Sequence, residues 1–201
     1  ADIGEKIGVR YAYNHIWPSS AKREFAENFC WHVRRLERIQ AVFADHGIQY
    51  GLEFLGPYEL RNQHENPFVH TISGVLAIAD AARGKTGFLF DSYHWYCGSR
   101  RLDDLYYACQ NHHRMVNVHL NDGIAGRKPD EQRDLERAMP MTTGLIDAAM
   151  IYDLFEESGY AGPVMCEPMK PTTDRLAKLP AEQAVAEVAG AFQRVRSGRQ
   201  A

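Results

Sequence analysis

Four short apolar runs in this chain each end on a side chain that can bind a metal ion or carry a proton. The run GLE closes on Glu53, FLFD on Asp91, VNVH on His119 and VMCE on Glu167. Taken singly, each has an ordinary explanation, since a carboxylate at a strand end can cap the next helix and a core histidine can be a plain hydrogen-bond partner. Their recurrence points elsewhere. If the runs are parallel strands, their C-terminal ends reach one rim, and the four groups converge there however far apart they lie in the chain. Gathering three carboxylates away from water costs on the order of several kcal/mol unless a cation sits among them. Three oxygen ligands and one imidazole suit a single divalent ion, Mn²⁺, Mg²⁺, Co²⁺ or Zn²⁺, and the lack of a thiolate argues against a structural zinc site. His94 follows Asp91 by three residues, a spacing that points to opposite faces of a regular strand, so it is expected in a loop one step further from the ion.

The elements that must deliver these groups alternate along the chain. Runs rich in β-branched and aromatic residues at 7–16, 48–56, 86–93, 115–122 and 162–169 read as strands. Helical spacing occupies 20–46, 68–83, 102–113, 147–158 and 181–196. In the first of these Phe25, Phe29, Val33, Leu36, Ile39, Val42 and Phe43 recur every three or four residues, with Ser19 or Ser20 available as a cap and Gly47 past the end. Asp147 is placed to cap the fourth helix and Gly159 to stop it. The polar stretch 126–137 reads as an excursion between the fourth and fifth strands. Near-continuously apolar strands alternating with helices mean parallel pairing, right-handed crossovers and an α/β fold. NHIWPSS follows the first strand where a dinucleotide-binding sheet would carry a glycine-rich turn, which favours a (β/α) barrel over a doubly wound sheet.

Composition narrows the function further. The 201 residues are 45% hydrophobic and 24% charged with a formal net charge of −3, which suits one globular domain over 1–201 and gives no overall attraction to nucleic acid or to an anionic membrane. No apolar run is long enough to span a bilayer and the N-terminus lacks the apolar core of a secretion signal, so a cytoplasmic location is expected. Cys30, Cys97, Cys109 and Cys166 are widely spaced, without CxxC, and are expected to be reduced and mostly buried.

The segments GLEFLGPYE, FDSYHW, VHLND, TGLID and GYAGPVMCEP, taken in order, resemble the sugar phosphate isomerase/epimerase branch of the xylose-isomerase-like TIM barrels, a superfamily that also holds the abasic-site endonucleases. The resemblance spans about residues 8 to 195. It implies a metal held by Glu53, Asp91, His119 and Glu167, with Glu53 and Glu167 as the pair that removes and returns a proton beside a carbonyl. It also implies substrate contacts from Glu59, from His94 and from Arg137, which stands 30 residues before Glu167. Trp95 or Trp17 could supply an apolar wall, and Asp122 could touch substrate, orient His119 or cap locally. The small-molecule substrate implied is a ketose, its phosphate or a related keto-polyol. Loss of a β-hydroxyl from the same intermediate would make the chain a dehydratase instead. An endonuclease would need further metal ligands where this chain has Leu135 and Arg137, and a more basic surface.

A full barrel of eight β/α units takes about 250 residues. Only five units are legible here, equivalent to the last five, and the first three are expected to be missing. Such a chain is expected to be part of a longer product, a member completed by self-association, or a non-catalytic metal- or sugar-binding fragment.

Overall fold

The structure, a computed structural model, describes residues 1–198. Its centre is a five-stranded sheet: β1 (Tyr11–Ile16), β2 (Gln49–Phe54), β3 (Gly87–Asp91), β4 (Met115–His119) and β5 (Val164–Met165). All four pairings are parallel, and the strands stand in sequence order. The principal helices are α1 (Phe25–Asp45), α2 (Ile72–Ala81), α3 (Ser92–Gly98), α4 (Leu102–Gln110), α5 (Ala148–Glu157) and α6 (Ala181–Ser197). This is the strand–helix alternation of a (β/α) barrel, in five units. Among the described residues, no helix is long and apolar enough to cross a membrane.

Strands and helices are held by the apolar layer between them. Phe54, Phe90 and Phe155 stack edge to face, with ring centroids 6.2 and 4.9 Å apart, tying β2 and β3 to α5. Val75, Leu76 and Ile78 of α2 are fully enclosed against the same layer. Predicted and observed elements differ mainly at their ends. α1 starts at Phe25 rather than at residue 20, because Ser19–Ser20 pair with Asn66–Pro67 in a small antiparallel ladder. There the Ser20 hydroxyl accepts the amides of Lys22 and Arg23, so it caps a turn and not the helix. At the fourth expected helix the reading holds: Asp147 accepts the Met150 amide at 3.0 Å, and Gly159 takes φ +94° at the stop. The fifth strand shrinks to two residues, since beyond Met165 the chain leaves the ladder and is held by the Asn121 side chain, just past the end of β4.

The segment after β3 departs most from expectation. His94 does not lie in a loop; it sits on α3, which starts directly at Ser92. Asp91 caps this helix, its Oδ1 accepting from the amides of Tyr93 at 2.7 Å and His94 at 3.3 Å. A helix of this length has no periodic signal of its own and depends on its buried cap. Ser92 then locks the strand ends together: its hydroxyl donates to the Asn121 carbonyl and accepts the Asn121 amide. Both outer edges of the sheet lack a further partner strand among the described residues, and Tyr11 and Tyr13 of β1 are part-exposed.

Gly56 shows how tightly α3 is seated. A Cβ at this position would stand 1.9 Å from the His94 carbonyl oxygen and 2.8 Å from the Gly98 amide nitrogen, both backbone atoms that cannot rotate away. Gly56→Ala is therefore expected to destabilise the fold by about 3 kcal/mol, read as a lower urea midpoint. An unchanged midpoint would mean that α3 does not press on this loop.

Candidate metal centre at the strand ends

Glu53, Asp91, His119 and Glu167 do meet. One ligand atom from each lies within 4.8 Å of all the others. Asp91 and His119 are direct register partners across β3 and β4, and Glu53 stands opposite Leu89, two residues upstream of Asp91. Glu167 arrives from beyond β5, where its amide donates to Asn121 Oδ1 at 2.8 Å. The other end of the Asn121 amide approaches both Asp91 oxygens, at 3.5 and 3.4 Å. One asparagine thus aligns two of the carboxylates.

The electrostatics show how the cluster balances its charge. Asp91 is fully buried, Glu53 nearly so, and Glu167 partly open. Burial and then the like charge of Asp91 push the Glu53 carboxyl up to about 8, although His119 opposes this. Burial resists a charge on His119, yet the carboxylates of Asp91 and Glu167, and the charge of Glu53, outweigh it and push the imidazole up to about 10. Asp91 is held well below the usual carboxylate range in spite of its burial, because Arg137, His94 and His119 surround it. Without a metal, the cluster therefore offsets its negative charge with retained protons and a guanidinium.

His119 Nδ1 is buried and has no hydrogen-bond partner. It faces Glu167 Oε2 at 3.4 Å, Asp91 Oδ2 at 3.6 Å and Glu53 Oε1 at 3.9 Å, while Nε2 is anchored 3.2 Å from Asn117 Nδ2. Ligands held about 2.0–2.2 Å from one ion stand at most about 4.4 Å apart. The observed spread needs only a small contraction to match. An orphaned imidazole nitrogen among three carboxylate oxygens fits a divalent ion.

The other expected site residues divide into two groups. His94 and Arg137 reach the cluster. His94 is buried, and its imidazole is pushed down to about 4, mainly by burial and against the charge of Asp91. Its Nδ1 stands 3.4 Å from the Gly56 amide nitrogen, and its Nε2 stands 3.3 Å from Arg137 Nη2, which can only donate, and 3.7 Å from Glu53 Oε1. Arg137 Nη1 donates to Asp91 Oδ2 and Glu167 Oε2. The second group is committed elsewhere. Asp122 is enclosed, and its two oxygens accept the backbone amides of Gly123, Thr142, Thr143, Gly144 and Ile146, so of its three expected roles it takes the local cap. The indole of Trp95 is buried and donates to the Arg101 carbonyl, which makes it packing and not an open wall. Trp17 stays part-exposed at the end of β1. Glu59 accepts the Asp134 amide at 2.7 Å and meets Arg133 at 3.3 Å, so it clasps the 126–137 excursion.

Four residues join the site without having been singled out from sequence. Asn117 precedes His119 by two positions on the same strand face, a period-2 signal that could have found it. Asn121 repeats that step on the far side. Tyr13 sets its ring edge-on to His119, centroids 5.8 Å apart, and Asp134 holds Arg137. The Tyr13 contact joins distant segments, which no local pattern announces, whereas Asp134 stands three residues before Arg137, a spacing that could have paired them.

The sequence profile of the xylose isomerase-like TIM barrel matches residues 1–194. The chain belongs to that family. A xylose isomerase domain protein from Alicyclobacillus acidocaldarius subsp. acidocaldarius superposes with a TM-score of 0.78 at 25% identity, covering 96% of this chain and 66% of its own. A zinc-bound IOLI protein superposes at 0.79 with 21% identity, covering 98% of this chain and 66% of its own. L-ribulose 3-epimerase superposes at 0.64 with 15% identity, covering 98% and 65%. This family member thus spans about two thirds of the length of the solved proteins it matches. No curated protein matches the sequence.

Protons on Glu53 and His119 would set the pH dependence of ion uptake at this cluster. Both groups titrate above neutrality in the metal-free centre, so at pH 7 an ion must displace protons, and more of them as pH falls. Mn²⁺ binding is expected to release protons, read calorimetrically in two buffers of different ionisation heat, and to weaken by about tenfold or more from pH 8 to pH 7. Uptake without proton release would show that the ion binds elsewhere.

Proposed function

We propose that this chain carries the catalytic centre of a divalent-metal-dependent isomerase or epimerase acting on a sugar, a sugar phosphate or a related keto-polyol. The observation that carries the reading is the convergence of Glu53, Asp91, His119 and Glu167 within 4.8 Å at the C-terminal rim of a parallel sheet. Solved proteins that share the fold support the same reading, L-ribulose 3-epimerase and a 3-keto-D-glucoside 4-epimerase among them.

A divalent ion held by the four residues would supply Lewis acidity to a substrate carbonyl and its adjacent hydroxyl. The chain's own groups divide the remaining work. Glu53 and Glu167 approach the centre from non-adjacent strands, an arrangement suited to removing a carbon-bound proton with one carboxylate and returning it with the other. Return to the opposite face of the same carbon gives epimerisation; return to its neighbour gives aldose–ketose isomerisation. His94, neutral at physiological pH, sets its imidazole beside the carboxylates, within reach of a substrate oxygen, while Arg137 offers a fixed positive charge there. Both side chains are buried, so they do this without first shedding solvent.

The test is solvent deuterium incorporation into a panel of ketoses, keto-inositols and their phosphates with Mn²⁺ present. Wild type is expected to label one carbon-bound position in a member of the panel, and Glu167→Gln to slow labelling by about 10²–10⁴-fold while the fold persists. Tight metal binding with no exchange in any substrate would overturn the catalytic reading and leave a metal-binding fragment.

A further inference from the structure

Arg137 occupies an unusual place for a residue expected to meet substrate. Its Nη1 donates to Asp91 Oδ2 at 2.8 Å and to Glu167 Oε2 at 2.7 Å. Those are the oxygens of these two residues that face His119 Nδ1, at 3.6 and 3.4 Å. A cation bound between the imidazole and the carboxylates would therefore draw on the electron pairs that the guanidinium now engages. The rest of the arginine is tethered from the other side. Nε donates to the Asp134 carbonyl and Nη2 to Asp134 Oδ1, both at 3.0 Å, and the guanidinium lies 4.9 Å from the centroid of the Tyr93 ring. Asp134 is in turn held through its amide by Glu59, and the Tyr93 hydroxyl donates to the Arg133 and Glu136 carbonyls. The strap carrying Arg137 is thus clasped at several points, and Nη1 is the corner that can let go without the side chain leaving.

We propose that Arg137 is the resident counter-cation of the centre: it holds Asp91 and Glu167 together in the metal-free protein and competes with the divalent ion for them. This rests on the reading that the four converging residues bind such an ion. Two physical effects act in the same direction. A guanidinium with 2% of its residue surface exposed repels a divalent ion placed a few ångströms away, with little solvent to screen it. The same guanidinium stabilises the metal-free state by neutralising Asp91, which is 0% exposed and has no water to turn to. Each effect lowers the net gain on ion binding. Because a guanidinium stays charged at any physiological pH, this competition does not relax by deprotonation. Its consequence is a centre that stays assembled when empty and holds its ion less tightly than four such ligands otherwise would.

The test measures Mn²⁺ affinity, by the electron paramagnetic resonance of free Mn²⁺, in wild type, Arg137→Met, Arg137→Gln and Arg137→Lys at one pH, with thermal midpoints in parallel. The methionine and glutamine variants are expected to melt lower without metal, to bind Mn²⁺ roughly tenfold tighter or more, and to gain more in melting temperature on saturation than wild type does. The lysine variant, which keeps the charge, is expected to stay within a few-fold of wild type. Weaker or unchanged binding in both neutral variants overturns the proposal while leaving the metal reading intact, because the arginine would then be an organiser of the ligands. No uptake by any of the four proteins overturns the metal reading and this proposal together. Uptake by the neutral variants alone would be competition in its strongest form.

Discussion

Three carboxylates share one small buried space, and much of the surrounding structure answers to that crowding. Like charges at such distances in a poorly solvated pocket repel strongly, so some must be neutralised by protons, by a fixed cation or by a bound metal. This chain shows the first two at once: Glu53 and His119 retain protons well above their usual ranges, and Arg137 reaches between Asp91 and Glu167. The unpartnered Nδ1 of His119 marks where the third would enter.

The supporting residues meet this constraint economically. Asp91 uses one oxygen to cap α3 and turns the other toward the cluster, so capping the helix and facing the converging groups do not compete for this residue. Capping also fixes α3, and with it His94, directly behind the carboxylate. Asn121 aligns Asp91 with Glu167, and Ser92 ties the ends of β3 and β4 to each other. Asp122 and Glu59 stand one layer further out, fixing the 123–146 segment and the strap from which Arg137 projects. Both of these acidic residues accept backbone amides.

One side of this arrangement lies at the edge of the sheet. Among the described residues β1 has no neighbour on its outer edge, and Tyr13 sets its part-exposed ring against His119. The four converging residues all come from β2 onwards, so the strands that are present complete the cluster themselves.

What the sequence determined was the class of fold and the membership of the cluster. Strand–helix alternation and apolar strands imply parallel pairing, and parallel pairing sends every strand end to one rim, so Glu53, Asp91, His119 and Glu167 could be gathered without knowing a single distance. Short or side-chain-held features escaped that logic: α3 is too brief for helical periodicity, and the start of α1 moved because Ser20 caps a turn. Only the tertiary structure decided how each polar group is spent. Whether Asp122 meets substrate or five backbone amides, whether Trp95 is a wall or packing, and which carboxylates Arg137 bridges all depend on segments tens of residues apart meeting to within about 3 Å, the range over which hydrogen bonds act. A sequence pattern reports which face a residue occupies; the partner waiting there is set by the packing of the whole chain.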